Sequence, residues 1–162
     1  MYPLDNQPKL TEEVKFKVAL SGVTIKVGIS GTYWDRRPHY RILVDGISYF
    51  DGEVGEDTLT LEFAAELEED TEHTLEIRLE NKLKIDVVMD KETGQIEKDM
   101  LLNIESISFE DIEIGMIKWN NSVYQPDDRT IEPIKNCVNL GVNGTWSLKF
   151  SSPVYLWLLE NM

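Results

Sequence analysis

Apolar and polar residues alternate over most of this chain. In "VKFKVALSGVTIKVGIS" the apolar positions are Val14, Phe16, Val18 and Leu20, then Val23, Ile25, Val27 and Ile29. A period of two marks strands with one buried face. The parity changes at Ser21-Gly22, which predicts a two-residue hairpin loop. Leu20 would face Val23, Val18 would face Ile25, Phe16 would face Val27 and Val14 would face Ile29, leaving the lysines in water. "YRILVDGISYF" repeats the device. Its Asp45-Gly46 is a type I′ turn signal that pairs Val44 with Ile47 and Ile42 with Tyr49.

Further alternation predicts strands through Leu59, Leu61 and Phe63, through Leu75, Ile77 and Leu79, and through Leu83, Ile85, Val87 and Met89. The last of these, with the turn "DKETGQ" after it, predicts a projecting hairpin over about 83–100. An isolated hairpin is marginal in water, so its apolar face is expected to pack on the sandwich or on a neighbour. Leu102 and Ile104 are followed by Ile107 and Phe109, and the slip in parity predicts a bulge or a bend. Glu66 to Asp70, "ELEED", reads as a solvated turn. After Gly115 the residues "NNSVYQPDDRTIEPIKNCVNLGVNG" read as a long loop, followed by a strand carrying Trp146, Leu148 and Phe150. Ser152-Pro153 has the form of an N-cap with proline at the first helical position, which predicts a short C-terminal helix.

Many short strands joined by Gly and Asp turns make this an all-β chain, an antiparallel β-sandwich of jelly-roll-like type with a projecting hairpin and a short C-terminal helix. The organisation read from the pattern is an N-terminal arm over 1–13 and a sandwich module over 14–115. Residues 116–162 then form a C-terminal loop, strand and apolar helix packing on the sandwich or on a partner.

Composition narrows the function. The 162 residues are 41% hydrophobic, enough for a real core, and carry a net charge of −14. That charge opposes nucleic acid and an anionic membrane surface. No apolar run reaches the roughly 20 residues that span a bilayer. The start, "MYPLDNQPKLTEEVK", reads as no secretory signal. Cys137 is the single cysteine, so neither an intrachain disulfide nor a multi-cysteine zinc site can form, and a reducing cytoplasm is expected. The glycosylation matches at Asn120 and Asn143 carry little without export.

Candidate chemistry is sparse. His39 and His73 share no motif with Cys137 or a serine, and no nucleophile, metal-hydrolase or phosphate-loop motif is present, so no catalysis is expected. Tyr33 and Trp34, beside Arg36 and Arg37, are candidates for a sugar-stacking platform or an interface anchor. The tail "SSPVYLWLLENM" is apolar on nearly every helical face. Part of it is expected to seal the sandwich against Trp146, Leu148 and Phe150. Tyr155, Trp157 and Leu158 are expected in a subunit interface.

"RILVDG", the His73-led strand running through Ile77 and Leu79 into Asn81, and Asp99 followed by Leu102, Ile104, Ile107 and Phe109 resemble the calcium-dependent, xylan-binding type of carbohydrate-binding module. The resemblance covers about 14–115. It implies a non-catalytic jelly-roll sandwich and a calcium site in which Asn81 and Asp99 are ligands. The chain departs from that pattern at Lys82, where the family has aspartate, and at Met100 and Leu101, where it has arginine and asparagine. A lysine there opposes calcium, which wants several hard oxygen ligands.

The signal-free, acidic make-up and the apolar tail also resemble, in style, the accessory structural proteins of tailed-phage virions. On that reading the chain is a decoration, neck or fibre-attachment subunit assembled in the host cytoplasm. Its partners would be other virion proteins, in a homo-oligomer. The alternative is a glycan-binding module, with calcium or without metal, whose partner is a surface glycan.

Overall fold

A computed structural model describes residues 19–162. Among these residues two antiparallel sheets pack face to face. The strands are β1 (Leu20–Thr32), β2 (His39–Val44), β3 (Ile47–Glu53), β4 (Leu59–Glu68), β5 (Glu72–Leu79), β6 (Val88–Met89), β7 (Ile96–Lys98), β8 (Leu101–Phe109), β9 (Ile112–Glu113), β10 (Ser122–Pro126), β11 (Ile134–Lys135), β12 (Asn139–Leu140) and β13 (Gly144–Ser151). The helices are α1 (Met116–Asn120) and α2 (Val154–Asn161). One sheet runs β12-β8-β1-β4, with β9 beside β8; the other runs β11-β10-β13-β5-β2-β3; β6 and β7 pair alone. Ile25, Ile29, Ile42, Ile77, Leu102 and Trp146 are fully buried between the two large sheets. This is the antiparallel sandwich that the alternation implies.

The expected hairpin at Ser21-Gly22 is not formed. Both residues lie inside the 13-residue β1, with Ser21 opposite Leu67 and Gly22 opposite Glu66. The parity change has another outcome: Leu20 faces solvent while Val23 and Ile25 face the core. Ser-Gly lacks the glycine-first or Asn-Gly chemistry that forces a tight turn, whereas β4 offers a ladder of ten pairs. Val14, Phe16 and Val18 lie outside the described residues, and Ile29, Val27 and Ile25, expected to face them, pair with β4 and β8.

Asp45 and Gly46 both take positive φ, 51° and 82°, as a type I′ turn requires. Val44 faces Ile47, but Ile42 faces Phe50 rather than Tyr49, because a bulge follows at Ile42/Leu43. The extra residue lets Tyr49 stack on Phe63 of β4 at 4.5 Å, closing that edge of the sandwich. The β8 slip is also a bulge: Ile29 faces Ile104 and Gly28 faces Ser106, with Glu105 left over. Glu66 to Glu68 belong to β4 rather than to a turn, and Leu67 between them is buried; the chain turns after Glu68.

Two larger segments differ from expectation. The region after Gly115 is not a long loop: it supplies α1, β10, β11 and β12. Tyr124 on β10 is buried opposite Trp146, and three inward residues amid Asn, Asp and Pro are too few to show a period. The 83–100 segment begins as a 3-10 turn over Lys84–Asp86, and only β6 and β7 form a hairpin. Ile85 is 65% exposed while Asp86 is 2% exposed, which inverts the apolar-in pattern of a strand. In this hairpin Met89 and Ile96 are exposed, and Val88 is half-buried.

Pro153, not Ser152, occupies the N-cap of α2, so the helix starts one residue later than expected. Val154, Trp157 and Leu158 face inward, and Trp157 meets Phe109 and Phe150 edge-on at 5.6 and 6.1 Å. Trp157 and Leu158, expected at a subunit interface, instead complete the chain's own core. Tyr155, Leu156 and Leu159 are the side chains that α2 exposes.

Candidate functional site

Of the residues singled out by sequence, Asn81, Asp99 and Trp34 gather at one end of the sandwich, where β5 leaves its sheet and β8 and β13 begin, while Tyr155, Trp157 and Leu158 lie on α2. Asn81 ends β5. Its Oδ1 accepts from the His39 amide at 2.8 Å, and its Nδ2 donates to the Arg37 carbonyl at 2.9 Å. Both ends of the side-chain amide are thus committed to the loop before β2. Asp99, just before β8, accepts from the Met100 amide at 2.7 Å and from Lys82 Nζ at 2.6 Å. The same Lys82 ammonium donates to the Gly141 carbonyl.

That geometry tests the expected calcium site. Calcium needs six to eight oxygens, several of them anionic. Here the one carboxylate is already paired with an ammonium, and the Asn81 oxygen points to a backbone N–H. Among the described residues no three His, Cys, Asp or Glu side chains converge on a common point. Asn81 and Asp99, as arranged, do not fit calcium. The sequence signal for this was Lys82 itself.

The tight hub of this end was not foreseen. Asp86 is buried, and its Oδ2 accepts from Arg36 Nη1 at 2.6 Å and from the Leu83 amide at 2.7 Å. Arg36 Nη2 donates to the Asn81 carbonyl at 3.0 Å. A buried carboxylate needs such partners. They draw Asp86 inward and force the 3-10 turn, so alternation could not reveal it.

Tyr33 and Trp34 do not form one platform. Trp34 donates its indole N–H to the Asp86 carbonyl at 3.1 Å, and the Lys98 ammonium stands 4.8 Å from its ring centre. The ring is 45% exposed, but its edge and one face brace the 3-10 turn and the β6–β7 hairpin. Tyr33 lies in a separate polar recess with Glu53 and Glu56, under Arg37 at 5.7 Å. The histidines are fasteners. His39 contacts Asp51, and the buried His73 lies 2.6 Å from Asp45 and 3.0 Å from the Glu68 carbonyl, fixing β5 to two turns.

Beside the hub an open cleft of about 510 Å³ lies between the 82–87 segment, the 126–131 loop and the 141–143 loop. Leu83, Val87, Pro126, Ile131 and Val142 give it apolar walls, while Lys82, Lys84, Asp127 and Asp128 supply its charges. Asn143 fixes the cleft to Lys82: its Oδ1 accepts from the Lys82 amide at 2.8 Å and its Nδ2 donates to the Lys82 carbonyl at 3.0 Å. The Thr130 hydroxyl and amide donate to Asp128 at 2.7 and 3.0 Å and hold its carboxyl below the usual value. Among the described residues no aromatic ring lines the cleft. Apolar walls with a few placed polar groups suit a small ligand with both C–H faces and hydroxyls.

No protein-family model matches the chain, and no curated protein matches it significantly. Among solved structures it is similar to vCBM60 in complex with galactobiose, at 14% identity and a TM-score of 0.51, over 77% of this chain and 96% of that one. The likeness is one of fold: this chain has a carbohydrate-binding-module-like β-sandwich.

Proposed function

We propose that this chain is a non-catalytic glycan-binding module that takes its sugar, without a metal, in the cleft between the 82–87, 126–131 and 141–143 segments. The observation that carries this reading is the cleft itself, apolar-walled and polar-edged, at the loop end of a carbohydrate-module-like sandwich. With no stacking ring in the cleft, affinity depends on hydrogen bonds and small apolar contacts, so binding is expected to be weak, about millimolar in Kd (roughly 4 kcal/mol). Calorimetric titration with galactobiose and xylo-oligosaccharides, in calcium and in chelator, tests it. Equal binding in both supports the reading; no binding to these sugars or to a broad neutral glycan array removes it.

A second reading, a homo-oligomeric structural subunit of a tailed-phage virion, draws on a different observation. Leu20, Tyr155, Leu156, Leu159, Met116 and Met162 are all exposed. Asn121 donates to Asn161 at 3.1 Å, so α1 and the end of α2 lie together. Apolar surface of this kind marks protein contacts. Light scattering decides: a monomer at high concentration removes this reading and leaves the first.

A further inference from the structure

We propose that the Lys82 ammonium performs in this chain the task of a bound cation: it ties Asp99 to the Gly141 carbonyl and presents its remaining hydrogen to an oxygen of a neutral oligosaccharide. The ligand half of this inference rests on the glycan-binding reading.

Lys82 is an unusual lysine. Its side chain is only 11% exposed, although lysines are seldom buried unless paired. Its backbone is held from both sides by the Asn143 amide, so the root of the side chain is fixed. An ammonium has three hydrogens to donate. Asp99 takes one and the Gly141 carbonyl another. The third has no acceptor among the described residues, and Lys82 lines the cleft. One positive centre thus joins a carboxylate and a main-chain carbonyl from two separate segments, in a residue that lines the cleft. A divalent ion would do the same with oxygen ligands.

The charge balance identifies the class of ligand. Lys82 and Lys84 are matched by Asp127 and Asp128 around the cleft, and Asp99 stands directly behind Lys82. An anionic sugar would meet no net positive field there, and the whole chain carries −14. A neutral oligosaccharide meets one oriented donor, acceptors at Asp127 and Asp128, and apolar walls for its C–H faces.

The test compares the native protein with Lys82→Met, using galactobiose and xylo-oligosaccharides as probes, in chelator and in calcium. Native binding is expected to be unchanged by chelator, and Lys82→Met to lose about tenfold or more in affinity, as loss of a charged hydrogen bond does. Binding that chelator abolishes, or that Lys82→Met leaves intact, overturns the proposal. If the variant does not fold, reductive methylation of the native protein replaces it. Saturating sugar is expected to slow labelling of Lys82, and unchanged labelling overturns the ligand half. If no probe binds the native protein, the glycan-binding reading and the ligand half fall together. The cation half is decided by heat: a native melting temperature indifferent to calcium and chelator supports it, and a rise with calcium overturns it.

Discussion

At the scale of single residues, Asp86 organises the loop end. One carboxylate oxygen holds Arg36 and caps the Leu83 amide, and Arg36 carries the link on to Asn81. Asp86→Ala is expected to destabilise the protein by about 2–3 kcal/mol in urea unfolding, because it strands a guanidinium that is mostly covered. The one-third exposure of Arg36 keeps the cost below that of a fully buried pair. Trp157 is the other decisive residue. At 7% exposure against Phe109 and Phe150, its replacement by alanine is expected to cost about 3–5 kcal/mol. Leu159, 74% exposed on the same helix, is expected to shift stability by no more than about 0.5 kcal/mol when changed to serine. Equal losses at both positions, measured by thermal or chemical unfolding, would contradict the inward orientation of Trp157.

Elements differ in how much they contribute. The β6–β7 hairpin has two short strands and exposes Met89 and Ile96, so little apolar surface holds it down. Replacing 89–97 with a short Gly-Asn turn is expected to leave the melting temperature within a few degrees and the cleft intact. A collapse of the fold on shortening would mean that the hairpin's edge, through Lys98 and Trp34, supports the hub. The 126–131 loop is held locally: Thr130 donates twice to Asp128 and depresses its carboxyl pKa. A depressed carboxylate contributes its stabilisation above the unfolded value of about 3.9 and loses it only as pH falls through the lower folded value. An NMR titration of Asp128 should therefore give a midpoint below that of a free aspartate. Thr130→Val removes the hydroxyl donor and keeps the amide donor, so it should raise the midpoint part of the way toward the ordinary value, with loosening of the loop.

At the scale of the whole molecule, α2 exposes Tyr155, Leu156 and Leu159, while the cleft lies where Lys82, Asp99 and Asn143 meet. The two surfaces use different residues. Changing Tyr155 and Leu159 together to serine is expected to leave sugar binding untouched. If the native protein self-associates, the same change should abolish it in sedimentation.

The sequence by itself determined the fold class and most of the core. Strict alternation in β5 and β13, and alternation on either side of the β8 slip, put Leu75, Ile77, Leu79, Leu102, Ile107, Trp146 and Phe150 inside, and each of them is buried. The Asp45-Gly46 turn and the β8 bulge were legible because each follows from local chemistry or from a break in parity. The course of β1 was decided by tertiary structure, since a parity change suits a hairpin or a strand end equally until β4 supplies a partner. So was the 3-10 turn, where the pairing of a buried Asp86 with Arg36 outweighs four apolar residues in alternation. β11 and β12 came from pairing, because a two-residue strand has no period to read. The candidate site belongs to the same class. Lys82, Asp99, Gly141 and Asn143 are separated by up to 61 residues in sequence, and only the closure of β5, β8 and β13 into one end brings them within hydrogen-bonding distance.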